Sequence, residues 1–229
     1  MRRLILVIAA LTCLLSLSGC GKVVSWKQKL TLIIETPAGE VTGHSVVAIS
    51  ARYFRETIGN EVEYDVTGEA VVVEVLPGKY LFALLGEPSE AYYWAARERF
   101  PSKKRGDWLF EIPQQTEPVN LFPDHIPMLV TFDDINDPAS VKLVDPLDLA
   151  ASFGPGVSLK TVTVQVTDEP VTEGKVEEVL GWWLTMRSGP YNEMTPLRLS
   201  DDSPRGWDDL GALQFWSLDK LKEFSERKQ

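Results

Sequence analysis

Val71-Val72-Val73-Glu74-Val75-Leu76-Pro77-Gly78-Lys79-Tyr80-Leu81-Phe82-Ala83-Leu84-Leu85 is the stretch that decides the fold class. Two runs rich in β-branched, aromatic and aliphatic residues flank a Pro-Gly pair, and Pro followed by Gly suits the two central positions of a type II turn. Both runs are apolar at successive positions, so each strand needs cover on both faces and reads as central in a sheet. Hairpins favour primed turns over type II, and a bulge beside the turn would reconcile the two requirements.

Working outward, alternation supplies the neighbouring strands. Leu30-Thr31-Leu32-Ile33-Ile34-Glu35 reads as a strand closed by the turn Pro37-Ala38-Gly39. Residues 41–51 put Val47, Ile49 and Ala51 on one face and His44, Val46 and Ala48 on the other, as a period of two requires. Glu61-Val62-Glu63-Tyr64-Asp65-Val66 alternates most cleanly, with its acids all on one side, which predicts a strand wet on that side and lying toward a sheet edge. In the second half, 128–132 reads as a strand. Across 157–166 the apolar positions are odd at Val157 and Leu159 but even at Val162, Val164 and Val166, so a bulge is expected near Lys160-Thr161.

Helical signals are short. Ser89 as N-cap, with Pro101 following the last residue, predicts a helix over 89–100. Asp137-Pro138 and Asp145-Pro146 each set a capping residue before a proline that helices accept at their first position. Of these, 145–153 is the stronger candidate, with Leu147, Ala150 and Ala151 on one face and Gly154-Pro155-Gly156 as its stop. Residues 176–184 and 217–224 are further candidates, and Trp182 and Trp183 call for burial. Four prolines within 113–127 read as an extended segment crossing between two halves. The expected architecture is α+β, a predominantly antiparallel β-sheet with a few short helices, in which one core spans 29–225; two smaller domains are the alternative.

The N-terminus carries a different message. Arg2 and Arg3 precede an apolar run from Leu4 to Leu17, and small residues lead into Cys20. This is the layout of an export signal, and the run is shorter than the roughly 20 helical residues needed to cross a bilayer. Leu17-Ser18-Gly19-Cys20 resembles the lipobox of bacterial lipoproteins, which is cut before the cysteine so that the thiol receives a diacylglyceryl group. The resemblance implies a signal peptide over 1–19, a mature N-terminus at Cys20 carrying palmitate-class acyl chains, and a lipidated tether over 20–28. Each buried acyl CH₂ contributes about 0.8 kcal/mol, and two or three chains together hold a protein durably at a membrane. In that family an Asp after the cysteine favours retention in the inner membrane; Gly21 stands here and points to the outer membrane, periplasmic side.

Cleavage before Cys20 would remove 19 of 229 residues and leave 210, enough for a core without disulfide staples. Cys13 leaves with the signal and Cys20 is acylated, so the mature chain is expected to have neither a free thiol nor a disulfide. The leader holds two of the 23 basic residues and none of the 33 acidic ones, which takes the mature chain to a formal charge of −12. That charge disfavours nucleic acid as a partner, since the phosphate contribution would be repulsive, and disfavours lying flat on anionic lipid.

Other phrases, among them Glu35-Thr36-Pro37-Ala38-Gly39, Leu81-Phe82-Ala83-Leu84-Leu85 and Phe153-Gly154-Pro155-Gly156-Val157, are similar to segments of uncharacterised proteobacterial proteins. The similarity touches both halves and transfers no functional residue.

Motifs for chemistry are sparse. His44 and His125 are the two histidines, and neither has a His or Cys at ligand spacing, so no metal or other cofactor is expected. His44 and Ser45 are adjacent in a strand and point to opposite faces. Ser217-Leu218-Asp219-Lys220 and Ser225-Glu226-Arg227-Lys228 match the Ser-x-x-Lys pattern of penicillin-binding enzymes, but the companion Ser-Asp-Asn and Lys-Thr-Gly motifs are absent. No catalytic residue is assigned. Asp133, Asp134 and Asp137, Asp201 with Asp202, and Asp208 with Asp209 collect oxygen atoms without EF-hand spacing; caps and turns account for them.

The most binding-like stretch is Trp94, Arg97, Arg99, Lys103, Lys104, Arg105 and Trp108, in which 97–105 carry a local charge of +4 once Glu98 is counted, inside an acidic chain. Cations interleaved with aromatic faces suit an anionic glycan, peptide or headgroup. The sequence therefore leads to a lipid-anchored envelope protein with a non-catalytic structural or protein-interaction role. The alternative is a ligand-binding lipoprotein that uses this basic and aromatic patch on an anionic envelope polymer. A hydrolase built on dispersed acids is the third and weakest reading.

Overall fold

The turn at Pro37-Ala38 joins two long strands that together frame the molecule. In a computed structural model, described for residues 22–55, 60–85, 107–121, 123, 125–182, 197–198, 209–210 and 215, β1 (Lys22–Thr36) and β2 (Gly39–Arg55) pair in register from Lys22↔Tyr53 to Thr36↔Gly39. Gly39, at φ +122°, takes the backbone excursion that closes this hairpin. On the far side of β2 lies β3 (Asn60–Thr67), at the edge as its alternation predicts, with Glu63 and Asp65 exposed. The other side of β1 is taken by β9 (Ser158–Val166), followed by the two-residue β6 (Val119–Asn120), to give a five-stranded sheet ordered β3-β2-β1-β9-β6. A second sheet, ordered β4-β5-β7-β8, consists of β4 (Val71–Leu76), β5 (Lys79–Ala83), β7 (Leu129–Phe132) and β8 (Val141–Leu143). A short pairing of β10 (Leu197–Arg198) with β11 (Asp209–Leu210) completes the described strands, and every pairing is antiparallel.

The two larger sheets face one another. Leu30, Leu32 and Ile34 of β1 and Leu159, Val162 and Val164 of β9 meet Val71, Val73 and Val75 of β4 and Leu81 and Ala83 of β5 in one aliphatic cluster. Two strands approach unusually closely here: a Cβ on Gly43 of β2 would lie 2.3 Å from Val73 Cγ2 and 2.8 Å from the Val72 carbonyl oxygen. Glycine at 43 is therefore a packing requirement. Where the long β1–β2 hairpin runs past the second sheet, Trp26, Val47, Ile49 and Ala51 form a separate cluster under Leu109 and Ile112, which come from 3-10 helices at Asp107–Phe110 and Ile112–Gln114.

The Pro77-Gly78 hairpin forms with Gly78 at φ +72° and a register shift between Glu74 and Leu76, so a bulge does accompany the turn. β5 is central and apolar on both faces. β4 instead ends its own sheet's hydrogen-bonding order and is shielded by packing on β2. The expected irregularity at Lys160 is also present: Ile33 pairs with Thr161 and Ile34 with Leu159, leaving Lys160 as the extra residue. Its ammonium sits against Glu40 and 3.7 Å from Glu35.

Several expectations need correcting. Residues 22–28, expected to be tether, are strand, held there by burial of Trp26 and Gln28 against β2; residues 20 and 21 lie outside the described residues. Helix is scarcer than α+β implies: among the described residues the α-helices are α1 (Leu149–Phe153) and α2 (Lys175–Val179). α1 starts four residues after Asp145 because Asp148 supplies the cap, accepting from Ala151 N, while Asp145 accepts from Leu147 N in the preceding turn. Leu147 consequently lies 71 % exposed and not on a core face. Asp137 caps a 3-10 turn at Pro138–Ser140 as expected. Part of the crossing segment 113–127 is regular, since Val119 and Asn120 pair with β9. The expected helix over 89–100, the tail helix over 217–224 and both Ser-x-x-Lys matches lie outside the described residues.

Candidate functional site

The second sheet has a far face, and its cover depends on one buried carboxylate. Glu69, 1 % exposed, precedes β4 and accepts from the backbone N–H groups of Gly174 (3.1 Å), Lys175 (2.8 Å) and Val176 (3.4 Å) at the start of α2. A buried charge is costly unless it is hydrogen-bonded, and N–H groups at a helix start are free to supply those bonds. The carbonyl of Glu69 meanwhile accepts from Ser45 Oγ at 2.6 Å. One residue thus ties β2, β4 and α2 together.

From Thr167 to Thr172 the chain crosses the outer face of the five-stranded sheet before reaching α2. Lys27 donates to the carbonyls of Asp168 (2.6 Å) and Glu169 (2.7 Å), Lys29 pairs with the Glu169 carboxylate at 2.8 Å, and Thr172 bonds both the N–H and the C=O of Val46. Hydrogen bonding to Lys29 holds the Glu169 carboxyl below its ordinary value. His44 stands on the same face, opposite Thr31, and partial burial with Lys175 and Lys29 nearby pushes its pKa below the ordinary 6.5.

Beside this crossing is a pocket of about 500 Å³, lined on its polar side by Ser25, Lys27, Ser50, Asp65, Thr67 and Asp168. Ser25 Oγ donates to Ser50 Oγ at 3.3 Å. The side chains brought together are hydroxyls, one ammonium already engaged with carbonyls, and carboxylates, a set that can exchange hydrogen bonds with a polar ligand. Among the described residues, neither serine has a histidine or lysine amine as a hydrogen-bond partner to act as a base. On the inner face of the same sheet, Trp26 Nε1 donates to Gln28 Oε1 at 2.9 Å, which fixes the orientation of the amide and leaves the buried Gln28 Nε2 without a partner among the described residues.

Of the residues singled out from the sequence, Cys20, Trp94, Arg97, Arg99, Lys103, Lys104 and Arg105 lie outside the described residues. Trp108 belongs to the 3-10 helix Asp107–Phe110. The described residues of the sequence-chosen patch therefore reduce to that single position. Asp134 and Asp137 are engaged in local turns, accepting from Asn136 N and Ala139 N, and Asp133 pairs with Lys142. Among the described residues no group of three or more His, Cys, Asp or Glu is arranged to hold a metal ion. The outer-face pocket was not anticipated: its lining comes from four strands, a 3-10 helix and a loop, and cross-strand neighbours carry no sequence signal until register is known. Comparison with known proteins gives no match to any family model, any curated protein or any solved structure.

Proposed function

We propose that the chain is a lipoprotein of the bacterial cell envelope, held through acyl groups on Cys20, and that its β-sandwich has a non-catalytic structural or protein-interaction role. The observation that carries this reading is the order basic residues, short apolar run, small residues and cysteine in Arg2-Arg3, 4–17 and Leu17-Ser18-Gly19-Cys20. Gly21 favours the outer membrane, with the body on the periplasmic side. The test is the mass of the N-terminal peptide together with fractionation: wild type should carry acyl mass on Cys20 and sediment with membranes, and Cys20→Ser should be soluble. An unmodified Cys20 in membrane-bound protein would refute the reading.

A second reading, binding of an anionic envelope polymer, draws on the +4 charge of the basic stretch within an otherwise acidic chain. Retention on peptidoglycan or lipopolysaccharide that weakens with salt, and is lost on charge reversal at Arg97 and Arg99, supports it. Retention indifferent to both refutes it.

A further inference from the structure

Covalent geometry limits how far the sandwich can stand from its anchor, a point that rests on the acylation of Cys20 proposed above. Lys22 is paired with Tyr53 and belongs to the sheet. Two peptide links separate it from Cys20, so the two Cα atoms lie no more than about 7 Å apart in any conformation. The headgroup layer on each side of a bilayer is itself about 5–8 Å deep. Acyl chains on Cys20 therefore bring the Lys22 end of the sheet to the headgroups, with no slack for it to stand clear.

The side chains at that end suit such a contact. Lys22 Nζ lies 5.6 Å from the centroid of the Phe110 ring, Val23 is 54 % exposed, and Arg52, exposed beside the half-buried Tyr53, lies 3.8 Å from the Glu63 carboxylate. Cations with long apolar stems and aromatic rings are the side chains that favour the membrane–water boundary. At the other end of β1, about 45 Å away for a strand of this length, the Pro37-Ala38-Gly39 turn is exposed and Glu35 and Glu40 cluster around Lys160. A net negative body is repelled by anionic lipid, which opposes its lying flat. We propose that the end of the sandwich formed by Lys22, Val23, Arg52, Tyr53 and Phe110 is seated on the headgroup layer of the bilayer that holds the Cys20 acyl chains, with the Pro37–Gly39 turn pointing away from the membrane.

The acylated mature chain offers no other thiol, so single cysteines introduced as Val23→Cys, Arg52→Cys or Ala38→Cys can each be labelled alone with a fluorophore. In vesicles of phosphatidylethanolamine and phosphatidylglycerol doped with headgroup-nitroxide lipid, quenching at positions 23 and 52 should exceed that at 38 at least about fivefold, given the length of the strand between them. Two proximal positions guard against one label disturbing the contact. Equal quenching at all three, in protein that still sediments with the vesicles, overturns the seated end and leaves the anchor standing. Protein that neither sediments nor carries acyl mass on Cys20 overturns both together.

Discussion

The two faces of the four-stranded sheet are held by different means. Its inner face is aliphatic and meets the five-stranded sheet through Val71, Val73, Val75, Leu81 and Leu129. Its outer face is aromatic: Phe82 stands edge-on to Phe132 (5.7 Å, 86°) and to Phe215 (5.7 Å, 68°), Phe132 meets Trp182 (5.9 Å, 76°), and Trp182 Nε1 donates to the Ile135 carbonyl at 2.6 Å. Sheet-on-sheet packing covers the inner face with strands already fixed by their own ladders. The outer face is covered by α2 and by Phe215, pieces from late in the chain, and α2 is only five residues long. A helix that short has little stability of its own. Its place depends on Glu69, so the two faces should respond differently to perturbation.

The largest effects should come from emptying either cluster. Phe82→Ala, which removes the ring shared by two aromatic contacts, should cost about 3–5 kcal/mol, and Leu32→Ala on the inner face about 2–5 kcal/mol, both read from urea midpoints. Glu69→Ala should come next, at about 2–3 kcal/mol for losing charge-assisted hydrogen bonds, and it sharpens the contrast. Hydrogen exchange should rise over 172–182 while the amides of β1 and β2 stay protected; a uniform rise would show that the two faces are one cooperative unit. Gly43→Ala should cost about 1–3 kcal/mol by overpacking against Val73, and should leave exchange at α2 unchanged.

The smallest effect is that of His44. Its folded pKa lies below 6.5, so between that folded value and 6.5 the unfolded chain binds more protons than the native one. Stability therefore rises with pH across that window and levels off above it. His44→Gln should flatten the slope in thermal melts taken from pH 5 to pH 7.5; an unchanged slope would assign it to other groups.

Much of the sandwich was legible because its strands alternate and its turns carry committed residues. The bulge at Lys160 followed from a change of phase between Leu159 and Val162, and the edge position of β3 from acids confined to one side. The strand character of 22–28 was hidden because Trp26 and Gln28 are buried among polar neighbours, Ser25, Lys27 and Lys29. Asp145 looked like the helix cap, yet Asp148, three residues on, has the geometry to accept from Ala151. Glu69 gave no warning at all, since an acid in Thr67-Gly68-Glu69-Ala70 looks like any turn carboxylate until residues 174–176 are known to arrive above it. The pocket beside Ser25 and Ser50 escaped for the same reason.

The long β1–β2 hairpin also has a consequence for how the chain reaches its native state. Its ladder is built from contiguous residues 22–55, so it can zip as soon as those residues are free, whereas the strand that flanks β1 on its other side ends at Val166. Contacts between distant segments form late because their loop must first be closed. Until β9 docks, one side of β1 offers a row of unsatisfied amides and carbonyls along an apolar strand, open to the same strand of a second molecule. Pairing with β9 satisfies those groups within the chain.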